Sequence, residues 1–102
     1  MILVMEGYRV VTAYHGKEAL AGLSKVRPDL IILDFMMPYL TGLEMLVMIR
    51  ARLEYRNLPV IFTGEVAPTE PQDKYGWNLF LQKPFQFVQL TEAVMQLIGS
   101  GK

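Results

Sequence analysis

The segment LIILDF at residues 30–35 constrains this chain more than any other feature. It is almost continuously apolar and does not alternate. A strand of that kind must be covered on both faces, a condition met in parallel sheets layered between helices. Three further short runs share the character: YRVVTA at 8–13 after Gly7, LPVIFT at 58–63, and LFLQ at 79–82. Each is predicted as a strand.

Helical periodicity fills the gaps. Residues 15–26 place Ala19, Leu20, Leu23 and Val26 on one stripe, and Pro28 stops the helix because it lacks a backbone donor and restricts Arg27. Residues 42–53 place Leu46, Ile49 and Leu53 together, opening on a Thr41-x-x-Glu44 capping box. Residues 86–98 carry Phe87, Leu90, Val94, Leu97 and Ile98 on one face, with Gly99 as the stop. The stretch 65–77, with Pro68 and Pro71, predicts at most one short helix over 70–75, capped by Thr69 with Gln72 at the box position. Strand and helix therefore alternate, which predicts an α/β fold with right-handed crossovers.

Composition narrows the function classes. The chain has 102 residues, which predicts one domain, able to form a core without staples. It has no cysteine, so disulfides and thiolate metal sites are excluded. Ten basic residues balance ten acidic ones, without the basic excess of a nucleic-acid binder. Its apolar runs are too short to span a bilayer, and the first five residues lack the basic flank of a signal peptide. A cytoplasmic protein that contacts neither nucleic acid nor membrane is expected.

In an open parallel sheet, ligands bind beyond the carboxyl ends of the strands. There the strand at 30–35 delivers Asp34, that at 58–63 delivers Thr63, and that at 79–82 is followed by Lys83. Singly, these residues have ordinary roles: an Asp satisfies a turn amide, a Thr favours strands, and a Lys is solvated. A carboxylate, a hydroxyl and an ammonium at the ends of three buried strands form a candidate site.

Asp34-Phe35-Met36-Met37-Pro38 followed by Thr41-Gly42 resembles the D-x-x-M-P-x-x-x-G segment of response-regulator receiver domains. Phe62-Thr63-Gly64, Lys83-Pro84-Phe85, Gly7-Tyr8-Arg9-Val10 and the helix start at 15–20 are similar to other segments of that family. The resemblance implies a flavodoxin-like sheet of order 2-1-3-4-5 flanked by helices. It also implies roles. Asp34 accepts a phosphoryl group from a histidine kinase or phosphotransfer protein. Lys83 neutralises phosphate charge, and Thr63 and Phe80 form the switch. Lys83–Pro84 is a cis peptide. Asp34 and the Met36 carbonyl are ligands of Mg²⁺. The downstream effector is not readable. His15, the only histidine, sits at a helix start and is expected on the surface.

One departure matters. The family opens with a strand ending in two acidic residues and then a helix, whereas residues 1–7 here match only the end of that helix. The expectation is a receiver incomplete at its N-terminus, with weak or absent Mg²⁺ binding. Its sheet must pair 8–13 directly with 30–35, self-associate, or unfold readily. The alternative function is a pseudo-receiver, an interaction module that never uses phosphorylation. An aspartyl phosphatase is disfavoured, because such enzymes usually carry a second Asp two residues on, where this chain has Met36. No enzymatic turnover is expected.

Overall fold

The structure is a computed structural model, and it describes residues 2–5, 7–13, 23, 25, 27–35 and 41–99. Five strands form one sheet in chain order: β1 (Ile2–Met5), β2 (Tyr8–Ala13), β3 (Leu30–Asp34), β4 (Val60–Gly64) and β5 (Leu79–Gln82). β2 to β5 run parallel, and β1 is antiparallel to β2 at one edge. Three described helices follow: α1 (Gly42–Arg50), the single turn α2 (Gln72–Tyr75) and α3 (Phe87–Ile98). Leu23 and Lys25 are helical, and the rest of the predicted helix at 15–26 lies outside the described residues.

The first departure from expectation is at the N-terminus. Residues 2–5 do not end a helix; they form β1. Met5 pairs with Tyr8 across a two-residue link in which Gly7 has φ 84°, the positive-φ geometry that favours glycine in tight hairpins. An apolar segment with Ile and Val, a hairpin turn and the open edge of β2 together select strand over helix.

The second departure is the sheet order. The order 2-1-3-4-5 does not occur: β2 pairs directly with β3, from Val10↔Leu30 to Ala13↔Leu33. Of the expected outcomes, direct pairing is the one adopted. Asp29 fixes the register, because its backbone N–H donates to the Arg9 carbonyl and its carboxylate accepts from the Arg9 N–H, both at 2.8 Å.

Side chains alternate across the sheet into two cores. Val11, Ile31, Leu33, Val60 and Phe62 pack with Met45, Leu46 and Ile49 of α1, and with Tyr55 and Trp77. Val10, Leu30, Ile32 and Ile61 pack with Leu90 and Val94 of α3. The continuous apolar runs are therefore covered on both faces.

Helix boundaries hold some corrections. α1 stops at Arg50 and the chain then makes a 3₁₀ turn at Leu53–Tyr55, so Leu53 leaves the helical phase and is 76% exposed instead of joining the stripe. Arg50 marks the turn. Its guanidinium donates to the carbonyls of Tyr55 (2.8 Å), Leu58 (2.7 Å) and Gly76 (2.7 Å). Its partial burial lowers its pKa from the ordinary arginine value. Thr41 and Glu44 form the predicted capping box. α2 is shorter than predicted and starts after Pro71, with no cap from Thr69. Phe87 is 66% exposed, because it opens α3 at the carboxyl edge of the sheet, past the end of β5. The Gln86 N–H donates to Gln89 Oε1 at 2.8 Å there, one half of a capping box, unsignalled because glutamine is not a usual N-cap.

Candidate functional site

β3, β4 and β5 end side by side at the carboxyl edge. Asp34 is in register with Thr63, and Thr63 with Leu81, so Lys83, two residues after Leu81, emerges directly past the end of β5. Lys83 Nζ donates to Asp34 Oδ2 at 2.8 Å. The Asp34 side chain keeps 17% of its surface exposed and that of Lys83 keeps 36%, so the pair is sheltered yet reachable. Thr63 is 3% exposed. The Lys83–Pro84 peptide is cis, and the Lys83 N–H donates to the Gly64 carbonyl at 2.7 Å, tying the lysine segment to the end of β4. Phe80 lies half-buried against the core on the α1 side.

The helix after β3 is held close to the aspartate. Gly42 N–H donates to the Phe35 carbonyl at 2.9 Å. A Cβ on Gly42 would meet Phe35 Cα at 2.9 Å and the Asp34 carbonyl oxygen at 3.1 Å. This contact gives the last glycine of the D-x-x-M-P-x-x-x-G segment a physical reason: the helix start must lie against the backbone that carries Asp34.

Asp34 and Lys83 open into a cleft of about 690 Å³, whose other walls include Phe35, Glu65, Val66, Thr69 and Glu70. Glu65 directly follows β4, so its position was legible. Thr69 and Glu70 arrive through the path of a proline-bearing loop that has no periodicity to betray it.

Magnesium seeks octahedral oxygen ligation, usually one or two carboxylates completed by water and phosphate. No group of three or more acidic or histidine residues suited to a metal occurs among the described residues, and Asp34 is engaged by Lys83. These residues do not fit a built magnesium site. Met36, whose carbonyl the resemblance implicates, lies outside the described residues, as does His15. No helix among the described residues is long and apolar enough to cross a membrane.

Comparison with known proteins agrees with this geometry. The response regulator receiver domain family matches residues 1–95. The phosphate regulon transcriptional regulatory protein PhoB of Rhizobium meliloti is 33% identical over 98% of this chain, which spans 45% of that protein. The hybrid signal transduction histidine kinase D of Dictyostelium discoideum is 31% identical over 98% of the chain, which spans 7% of it. The chain thus spans less than half the length of these curated relatives. Among solved structures, the chemotaxis protein CheY4 of Vibrio cholerae superposes with a TM-score of 0.80 at 33% identity, covering 89% of this chain and 78% of that one. The receiver domain of the sensor histidine kinase PA1611 from Pseudomonas aeruginosa, which has a magnesium ion coordinated in its active-site cleft, gives 0.77 at 31% identity over 93% of this chain and 80% of its own. With its parallel strands, its flanking helices and its aspartate at the carboxyl edge, the chain belongs to the response regulator receiver domain family of two-component signalling.

Proposed function

We propose that this chain is a phosphoacceptor receiver that takes a phosphoryl group on Asp34 from a histidine kinase or phosphotransfer protein in the cytoplasm, as one domain. The observation that carries this reading is the 2.8 Å ion pair between Lys83 and Asp34, in register with Thr63 and facing an open cleft. An Asp34 carboxylate oxygen attacks phosphorus, the bond to the donor's leaving group breaks, and that group keeps the electron pair. An acyl phosphate results. Lys83 meets the added negative charge as a point cation. Thr63 lies beside the new phosphoryl oxygens, and Phe80, on the neighbouring strand, follows its movement. Weak or absent Mg²⁺ binding belongs to this reading, since the described residues around Asp34 do not fit a built magnesium site.

The test is incubation with acetyl phosphate and Mg²⁺. Intact mass should rise by one phosphoryl group in the wild type and stay unchanged in Asp34→Asn. A label that persists in Asp34→Asn rejects the assignment.

The lack of a metal-holding group among the described residues favours a second reading, a pseudo-receiver that binds partners without phosphorylation. It predicts no acetyl-phosphate label, and partner binding unaffected by Asp34→Asn. Saturable Mg²⁺ binding by calorimetry, lost in Asp34→Asn, counts against it.

A further inference from the structure

At the opposite edge of the sheet, a second cleft of about 440 Å³ is lined by Arg50, Arg56, Asn57, Lys74, Tyr75 and Asn78, with no carboxylate among its lining residues. Three cations thus share one small cleft in a chain whose formal charges cancel. None of the three makes an ion pair with a described carboxylate. Glu54, the acid next to Tyr55, lines the neighbouring cleft instead.

Two donors here are held in place by the fold. Arg50 spends three hydrogen bonds on the carbonyls of Tyr55, Leu58 and Gly76, which fixes the guanidinium plane while its charge stays unmatched by a carboxylate. Asn78 accepts from the Val60 N–H through its Oδ1 at 2.8 Å, which orients its amide NH₂ as the group left to donate. Arg56 and Lys74 are exposed, and the Lys74 ammonium lies 5.6 Å from the centroid of the Tyr75 ring at the cleft wall.

We propose that this cleft binds a small phosphate-bearing anion, at a site separate from Asp34. Arg56 pairs with its oxygens in fork geometry, and Lys74 adds a point charge. Arg50 and Asn78 form the rigid floor. A compact multivalent anion suits the cleft better than an extended acidic peptide, whose charges are spread along a backbone reaching about 3.3–3.6 Å per residue.

The test titrates the full chain with inorganic pyrophosphate by calorimetry at low ionic strength and maps the site by amide NMR shifts. Saturable binding with shifts at Arg50, Arg56, Lys74 and Asn78 is expected. Arg56→Gln and Lys74→Gln should each weaken it about tenfold, the loss of one charge-assisted hydrogen bond, with unchanged melting temperature. Lys83→Gln should leave it intact. A parallel titration with ADP separates the sources: tighter binding than pyrophosphate identifies a nucleotide, and equal binding identifies phosphate alone. No saturable binding, binding indifferent to both cleft variants, binding lost in Lys83→Gln, or tighter binding of hexaglutamate than of pyrophosphate would overturn the proposal.

Discussion

Gly42 and Arg50 bound the same helix, and each has a role that no property of the isolated residue suggests. At Gly42 even one methyl meets backbone at 2.9 Å, and backbone cannot swing aside as a side-chain tip can. Alanine's helix preference over glycine, about 1 kcal/mol, opposes an overpacking cost of about 1–3 kcal/mol. The clash wins. Gly42→Ala is expected to lower the melting temperature by about 4–8 °C for each net kcal/mol and to slow labelling of Asp34, because the Asp34–Phe35 backbone must shift. Thermal denaturation and a phosphorylation time course check both parts. Arg50→Met strands three carbonyls, those of Tyr55, Leu58 and Gly76. Even with partial access to water, that costs about 2–3 kcal/mol, measurable by urea denaturation. Arg50→Lys should recover only part of it, since an ammonium cannot match the planar fork.

Among elements, α3 separates periodicity from burial most clearly. Phe87, Leu90 and Val94 share a helical face, yet Leu90 and Val94 are buried while Phe87 is 66% exposed. The helix opens past the carboxyl end of β5, which leaves Phe87 beyond the sheet while Leu90 already packs on it. Leu90→Ala should cost about 2–5 kcal/mol, whereas Phe87→Ser should stay within about 0.5 kcal/mol of wild type. Equal losses in a denaturant titration would show that α3 lies differently on the sheet. At the start of α1, Thr41→Ala removes the hydroxyl that accepts from the Glu44 N–H, an expected loss of about 0.5–2 kcal/mol.

For the whole molecule, the decisive contact is the direct pairing of β2 with β3. It joins every strand into one sheet and leaves β1 as an antiparallel edge, a familiar variation on parallel sheets. β3 is hydrogen-bonded on both sides and buried from Leu30 to Leu33, whereas β1 has a neighbour on one side only. Amide exchange in β3 should therefore track global unfolding, while β1 exchanges through cheaper local opening. Comparable protection of the two strands, measured by NMR, would mean that β1 is covered by another chain.

The placement of the candidate site was legible in the sequence because it depends on local rules. Unbroken apolar runs specify strands buried on two faces, and the residue ending each run must then emerge at the carboxyl edge. That reasoning brings Asp34, Thr63 and Lys83 together, and the ion pair follows from it. The Thr41–Glu44 box was likewise legible, because a cap is satisfied within one turn. Tertiary structure decided what depends on distant partners. Residues 2–5 became a strand because the edge of β2 offered unpaired backbone groups, which no local preference records. Leu53 turned to solvent because the helix ends at Arg50 and a 3₁₀ turn takes over, and Phe87 because α3 opens past the end of β5. Arg50 became a brace because three carbonyls from separate segments converge on it. Periodicity tells a residue which face it shares, but only the assembled backbone determines what lies opposite that face.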